Sequence, residues 1–405
     1  MRILYLHQYF NTPQMSGGTR SYEMARRLVA WGHEVYMITS WREGNGLHHQ
    51  GWYETNEEGI HVYWLPVPYA NAMPYWDRMR AFLKFAFGAT LKAAALPVDI
   101  VFATSTPLTI AVPAVYAARR QKVPMVFEVR DLWPEIPIAI GALKGRIAIE
   151  ASLWLERWAY RHAANIIALS PGMKTGIIRT GYPENKVHVI PNGADLELFT
   201  VPLTVEQEFR RRFEWLQDRP LVVYTGALGM MNGVEYLAHL AAATRLLMSE
   251  ARFLVVGSGK EWNKVRQIAH NLGVLNQNFF MLDSLPKMAI PAVLAAANIA
   301  TSLFIDLPEI WVNSANKFFD ALASGTPVAV NYRGWQAELL EESGAGLVLD
   351  VQDVEQSAAR LVEALKNPAW LAQAGKAARD LAEKRFSRDK LARDLEAILI
   401  STIEQ

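Results

Sequence analysis

The sequence predicts an α/β protein made of two doubly wound, Rossmann-like domains that face one another across a cleft. Three observations carry that expectation. Short apolar runs alternate with helix-period segments along the chain, the pattern of parallel α/β architecture. The pattern begins twice, at the N-terminus and again near residue 221, each time as a strand, a glycine-bearing turn and a helix. Between the two beginnings lies Ile190-Pro191-Asn192-Gly193-Ala194-Asp195, then a charged stretch through Arg219-Pro220. Proline, glycine and charge there read as a linker.

The first half opens with a strand at 3–6 and a loop ending Ser16-Gly17-Gly18. A helix at 19–31 follows, with Met24, Leu28 and Val29 on its buried face and Gly32 as its stop. Strands are expected at 35–39, 100–103, 125–129 and 166–169. The second half has a strand at 221–225, a turn at 226–229, a helix at 234–247, and strands at 253–256, 279–282 and 299–305. A loop holding Pro308 and Glu309 leads to Asn316-Lys317-Phe318-Phe319-Asp320-Ala321-Leu322-Ala323-Ser324-Gly325-Thr326-Pro327-Val328. Here Asn316 reads as an N-cap, Gly325 as a helix stop, and Pro327 as the opening of a strand at 328–330. The final helix, near 389–403, is a candidate for crossing back onto the first domain. The domains are therefore drawn as 1–195, with 386–405 as that candidate, and 196–385.

Composition bounds the function. The chain of 405 residues is long enough for two cores, and 51% hydrophobic with 20% charged residues is ordinary for a globular protein. Lys plus Arg (41) balance Asp plus Glu (40), so bulk charge gives no reason to expect nucleic acid. With no cysteine, disulfides, cysteine metal sites and thiol nucleophiles are excluded. Met1 to Leu6 is too short and too soon interrupted by His7 and Gln8 for a signal peptide, and no window holds the roughly eighteen apolar residues of a membrane span. A cytoplasmic location is expected.

The 316–327 segment is the most informative. Lys317 and Asp320, three apart, share one face in the first turn of a short helix. In an open α/β sheet that turn lies at the carboxyl edge of the strands, where ligands bind. A cation with backbone N–H donors suits a diphosphate, and a carboxylate suits a ribose diol. The competing reading is a capped helix with a solvated ion pair.

Four segments together carry a resemblance over nearly the whole chain. They are Gly17-Gly18-Thr19-Arg20, Pro191-Asn192-Gly193-Ala194-Asp195, Gly226-Ala227-Leu228-Gly229 with Asn232-Gly233, and the 316–327 helix. In order and spacing they are similar to the retaining glycosyltransferases of family 4, which have the GT-B fold. Glu128-Val129-Arg130-Asp131-Leu132-Trp133-Pro134-Glu135 resembles, more narrowly, bacterial enzymes that build O-antigen, capsule or exopolysaccharide, including amino-sugar transferases. The resemblance implies transfer of a sugar from a nucleotide diphosphate, most readily UDP, to a glycan or polyprenyl-diphosphate acceptor, with no metal or other cofactor. It places the nucleotide on the second domain and the acceptor on the first. Asp320 would take the place of the acid on the ribose, where the family more often has Glu. Lys317 would approach the diphosphate, Gly226 and Gly229 would let backbone come near it, and Leu285 would meet the base. Glu309 is a candidate for a sugar hydroxyl, although its spacing to Asp320 departs from the family's.

Further departures follow from the same comparison. Many members carry Arg and Lys where this chain has Ala227 and Asn232, removing two cations from a step that develops negative charge. Lys317 and Arg130 are the compensating cations. The family's cleft histidine before Asp131 is here Arg130, which cannot act as a base. The acceptor hydroxyl would attack from the face the leaving group departs, assisted by a diphosphate oxygen, with Arg130 supplying charge and Asp131 orienting the acceptor or Arg130. A local Arg130–Asp131 salt bridge is the alternative. Gly17 and Gly18 would aim the first helix at the donor phosphate and acceptor. Arg20 either joins them or is a surface charge, and His7 faces either the site or the packing. The weaker Gly257-Ser258-Gly259 match reads equally as a strand-to-helix turn.

The stretch 63–96 interleaves Tyr63, Trp64, Tyr69, Tyr75, Trp76, Phe82, Phe85 and Phe87 with Arg78, Arg80, Lys84 and Lys92. Two readings stand: a helix at 76–97 lying in an anionic bilayer interface, on the inner face of the cytoplasmic membrane, or an amphipathic helix packed on its own sheet. Rival functions are a non-catalytic sugar-nucleotide or glycan-binding paralogue and a GT-B-like sugar-nucleotide epimerase. A NAD oxidoreductase is disfavoured, since no G-x-G-x-x-G follows a strand.

Overall fold

The structure is a computed structural model describing residues 1–15, 17–42, 51–70 and 73–404, so Ser16 of the first glycine loop lies outside the described residues. It divides into two compact units. One comprises Met1–Pro191 with the residues from Asp389 onward, and the other Asn192–Arg388. The division thus falls after Pro191 and before Asp389.

The first unit holds β1 (Arg2–Leu6), β2 (Glu34–Trp41), β3 (Tyr53–Glu57), β4 (Ile60–Pro66), β5 (Ile100–Thr104), β6 (Met125–Val129), β7 (Asn165–Ala168) and β8 (Val187–Val189). They form one sheet in the order β3-β4-β2-β1-β5-β6-β7-β8, parallel except for the β3–β4 hairpin. β5, β6 and β7 are buried throughout, as strands covered on both faces must be, hence their near-continuous apolar sequence. The helix Arg20–Ala30 buries Met24 and Leu28 against Ile3, Tyr5 and Val35, while Val29 is only half-buried. The helix Arg388–Ile403 completes this core with Leu391, Leu395 and Leu399. Arg27 Nε donates to Asp389 Oδ1 at 2.5 Å, and His33 Nε2 lies 2.7 Å from Glu396 Oε1.

The aromatic stretch divides in the structure. Trp64 belongs to β4 and is buried, and Phe85 is buried on the helix Tyr75–Ala95, whereas Trp76 and Phe87 of that helix are exposed. Arg78 is half-buried, so it is not part of a fully exposed basic face.

The second unit holds β9 (Leu221–Thr225), β10 (Arg252–Val256), β11 (Phe279–Leu282), β12 (Ile299–Ser302), β13 (Val328–Val330) and β14 (Gly346–Val348), all parallel, in the order β11-β10-β9-β12-β13-β14. β12 stops at Ser302, short of the expected residue 305. Phe304 N donates instead to Asn331 Oδ1 at 3.0 Å, and Ile305 N to Met231 O at 3.0 Å. The stretch expected to be a linker is also structured. It carries the helix Leu203–Arg211, Phe199, Phe209 and Leu216 enter the unit's core, and the half-buried Arg210 donates to Ala296 O at 2.6 Å, so the stretch is a folded segment. Among the described residues no helix is long and apolar enough to cross a membrane.

Candidate functional site

Ligands of open α/β sheets bind outside the carboxyl ends of the strands where the strand order reverses. That point lies between β9 and β12 in the second unit and between β1 and β5 in the first. The sequence-predicted residues collect at both.

In the second unit, Gly226 follows β9 with φ +147°, a conformation that glycine accepts without strain. Its N–H donates to Val256 O at 2.9 Å, and Leu228 N donates to Ser258 O at 2.9 Å, so two loops lie backbone to backbone. A Cβ on Gly257 would come 1.8 Å from Gly226 O, and one on Gly259 would come 2.3 Å from Leu228 O. The glycines of Gly257-Ser258-Gly259 therefore serve this close packing, and the loop is more than a generic strand-to-helix turn. Gly229 itself needs no special backbone conformation. Its φ of −101° is available to any residue, and the strained position is Gly233, at φ +53° against Ile305.

The helix Asn316–Ala323 follows a loop and the short helix Pro308–Trp311. Asn316 is its first residue, not its cap; the cap position is Ala315, whose N–H donates to Asn313 Oδ1 at 3.2 Å. Lys317 and Asp320 do not pair with each other. Lys317 Nζ donates to Tyr224 Oη at 2.9 Å and to Asn232 Oδ1 at 2.8 Å. It also lies 4.4 Å from the Tyr224 ring centroid and 4.9 Å from that of Phe304. No carboxylate accompanies it among the described residues, and burial pushes its ammonium down to about 7. Tyr224 Oη in turn donates to Ala227 O at 2.7 Å, tying the lysine's support to the glycine turn.

Asp320 is 6% exposed, and its Oδ2 accepts from Lys287 Nζ at 2.5 Å. Its Oδ1 is buried with no hydrogen-bond partner, as are Asn316 Oδ1 and Glu309 Oε2. Three unmatched acceptor oxygens within twelve residues suit a ligand rich in hydroxyl groups, because buried acceptors left unpaired cost free energy. Leu285 is partly exposed in the loop after β11, two residues before Lys287. Sequence reasoning misses Lys287 as a partner of Asp320, and Tyr224 and Asn232 as supports of Lys317. A tyrosine in the apolar run of β9 is the available signal, since a buried phenol needs a hydrogen-bond partner.

In the first unit, His7 after β1 is buried, and its Nε2 lies 3.2 Å from Arg130 Nη1 after β6. Burial, then Arg130 and Arg42, hold the imidazole well below its ordinary pKa, so it is neutral and accepts from the guanidinium. His7 is thus both packed and in contact with the candidate residue. Arg130 N donates to Ser105 Oγ after β5 at 3.0 Å. Asp131 is exposed and forms no ion pair with Arg130, so the local salt-bridge reading does not describe the pair. Gly17, at φ +126°, has no room for a Cβ, which would lie 2.6 Å from Asn11 Nδ2; Gly18 O accepts from that same nitrogen at 3.2 Å.

Arg20 is neither a surface charge nor available to a ligand. It is 3% exposed and donates to Glu128 Oε1 at 3.0 and 2.8 Å, to Pro191 O at 2.6 Å and to Ile190 O at 2.9 Å. Thr104 Oγ1 donates to the other Glu128 oxygen at 2.6 Å. Arg20 therefore braces the end of the first unit from within.

Residues 17–193 match a family described as glycosyl transferase 4-like domain, and residues 205–381 match glycosyl transferases group 1. Among curated relatives, alpha-maltose-1-phosphate synthase of Mycolicibacterium smegmatis is 27% identical over 60% of this chain and 63% of its own length. WcaI of Escherichia coli (strain K12), named for a glycosyl transferase role in colanic acid biosynthesis, is 23% identical over 70% of this chain and 72% of its own. The matched part of the chain thus spans roughly two thirds of these relatives. Sucrose-phosphate synthase from Thermosynechococcus elongatus superposes with TM-score 0.81 at 18% identity, covering 100% of this chain and 99% of that one. Anabaena Alr3699/HepE in complex with UDP-glucose gives 0.74 at 19%, covering 99% and 100%.

Proposed function

This chain belongs to the family 4 glycosyltransferases of GT-B fold, and we propose that it moves a sugar from a UDP-sugar to a glycan or polyprenyl-diphosphate-linked acceptor in bacterial surface polysaccharide synthesis. The observation that carries the donor assignment is the cradle of the second unit: a lysine without an acidic partner beside a glycine turn, and a buried carboxylate with one unmatched oxygen. Lys317 faces the diphosphate, Asp320 Oδ1 accepts from the ribose hydroxyls, and Glu309 and Asn316 accept from the sugar. The turn from Gly226 to Gly229 lies along the phosphates, and Leu285 meets the base.

The acceptor hydroxyl attacks the anomeric carbon from the side the diphosphate leaves. The bond to the diphosphate oxygen breaks, and that oxygen receives the hydroxyl proton. No metal is assigned a part, because the second unit's own cation, Lys317, offsets the charge that develops on the leaving group. On the first unit Arg130 and Asp131 are assigned to the acceptor, with His7 holding Arg130 in place. Support for UDP comes from the Anabaena protein, whose complex contains UDP-glucose, and support for the polysaccharide role from the colanic acid relative.

The alternative nucleotide is GDP, since a mannosyltransferase of Mycobacterium tuberculosis named as GDP-mannose-dependent is 26% identical over 53% of this chain. Calorimetry with UDP, GDP and a panel of their sugars separates the two. UDP-sugars are expected to bind and raise the melting point, and Lys317→Ala and Asp320→Ala to lose both effects and the transfer activity. Unchanged UDP affinity in either variant would overturn the assignment, and preference for GDP-sugars would correct the base.

A further inference from the structure

Strands β4, β2, β1 and β6 of the first unit run parallel and end at one edge of its sheet. Three half-buried arginines stand at that edge. Arg42 directly follows β2 and Arg130 directly follows β6. Arg78 lies in the first turn of the helix Tyr75–Ala95, and a crossover helix begins at the carboxyl edge of the strand before it. His7 and Tyr9, just after β1, bring the three together. The Arg42 guanidinium carbon is 5.6 Å from the Tyr9 ring centroid, and Arg130 Nη1 is 3.2 Å from His7 Nε2. Burial raises the pKa of the Tyr9 phenol while Arg42 and Arg78 pull against it, and Arg130 and Arg42 both disfavour a charge on the buried His7. The positive charge of three separate elements therefore gathers around one short loop.

Two of the guanidinium groups are held by neutral partners, which orient a charge without cancelling it. Arg42 donates to Asn11 Oδ1, and Asn11 Nδ2 donates in turn to Gly18 O at 3.2 Å, so this arginine is tied to the first glycine loop. Arg130 meets the neutral imidazole of His7. Arg78 has no carboxylate within ion-pair reach among the described residues, and its Nε–H is buried without an acceptor. Asp131 offsets part of Arg130, and Glu128 is already engaged by Arg20. Positive charge is left in excess, and like charges gathered in a half-buried place repel one another.

We propose that this edge is a phosphate site, in which Arg42 and Arg78, beside Arg130, clamp the phosphate group of a phosphorylated acceptor. Planar guanidinium forks match phosphate oxygens in paired, charge-assisted hydrogen bonds, and the anion offsets the repulsion among the three. It also supplies the acceptor that the buried Arg78 Nε–H lacks, a group costly to leave unmatched. Tyr9, Tyr69 and Phe82 run beside the cations, with 4.8 and 5.7 Å between successive ring centroids, and give the rest of the acceptor an apolar wall.

A neutral glycan fits less well, because its hydroxyl groups bring no charge to offset the three arginines. Of the acceptors named for the proposed reaction, the structure thus favours one that carries phosphate close to the hydroxyl that reacts. Two sources share that chemistry: the diphosphate of a lipid carrier and the phosphate of a soluble sugar phosphate. That the bound anion belongs to the acceptor rests on the proposed transferase reading; the phosphate site itself does not.

The test is calorimetric titration of the full chain, saturated with UDP so that the second unit is filled. The probes are farnesyl diphosphate, a short analogue of a lipid carrier, and glucose 6-phosphate, each beside its phosphate-free counterpart, farnesol or glucose. At least one phosphorylated probe is expected to bind about tenfold or more tightly than its counterpart. Arg42→Gln and Arg78→Gln should each weaken that binding about tenfold, and Arg78→Lys, which keeps the charge, should weaken it less. Arg80→Gln removes an exposed charge 3.4 Å from Asp77 on the same helix and should change binding by less than about twofold. UDP affinity belongs to the second unit and should stay constant in every variant, which separates failure here from failure of the donor assignment. Tighter binding of farnesyl diphosphate would identify a lipid carrier as the source, and tighter binding of glucose 6-phosphate a soluble acceptor. Phosphorylated probes that bind no better than their counterparts, or that ignore both glutamine substitutions, would overturn the proposal.

Discussion

Lys317 is held by two neutral oxygens and two ring faces, and that environment makes its charge depend on pH near neutrality. Its folded value, about 7, lies below the ordinary lysine value near 10.4, so between those pH values the unfolded chain binds more protons. Its contribution to stability therefore rises with pH across that window. Diphosphate binding works in the opposite sense, because the anion favours the ammonium form. At pH 8 binding of UDP should take up close to one proton, measured by calorimetry in buffers of different ionisation enthalpy, and Lys317→Met should abolish the uptake. Affinity should weaken by up to tenfold per pH unit above 7, as for a single linked proton. Arg20 is the contrasting case. Burial raises the pKa of Glu128, but Arg20, Arg130 and Thr104 outweigh it, and the carboxyl ends below its ordinary value. Its contribution is present above about pH 4.3 and fades as pH falls below that. Arg20→Met should cost about 3–5 kcal/mol in denaturant unfolding by leaving a buried charge unpaired, with little change in intrinsic UDP affinity.

At the scale of elements, the two glycine loops of the second unit behave as one object. Gly257→Ala must push the Gly226 turn aside, because its new methyl would overlap a carbonyl oxygen. A loss of at least about 1 kcal/mol in stability is expected, with weaker UDP binding, whereas Gly229→Ala should be nearly neutral in stability. Melting curves with and without UDP check both. These loops also show what the sequence could and could not reveal. The buried parallel strands were legible because both faces demand apolar residues, and the turn after β9 was legible because its glycines stand next to a strand. The role of Gly257 was not, because it depends on a carbonyl some thirty residues away in sequence. The same holds for Lys287, whose meaning comes only from its bond to Asp320. The apolar run through Ile305 looked like strand to its end, yet the backbone of Phe304 and Ile305 bonds outside the ladder. Periodicity reports burial, and Asn331 supplied a competing acceptor that periodicity does not report.

At the scale of the whole molecule, the C-terminal helix matters most. Leu391, Leu395 and Leu399 share a core with Ile3, Tyr22 and Met24, and Asp389 and Glu396 engage Arg27 and His33. Leu395→Ala should cost about 2–5 kcal/mol, seen as an earlier unfolding transition of the first unit. The helix pattern was readable from sequence, but its destination was not, since an apolar stripe does not specify which core it fills.

The order of synthesis gives this return a consequence. The second unit is an unbroken segment, from Asn192 to Arg388, and all of its residues emerge before Asp389 and the rest of the final helix do. The first unit, although begun earlier, has to wait for Leu391, Leu395 and Leu399 to leave the ribosome before its hydrophobic interior can close. Nascent chains released early would thus hold a finished second half and an unfinished first one, the reverse of the N-terminal-first order usual in multidomain proteins.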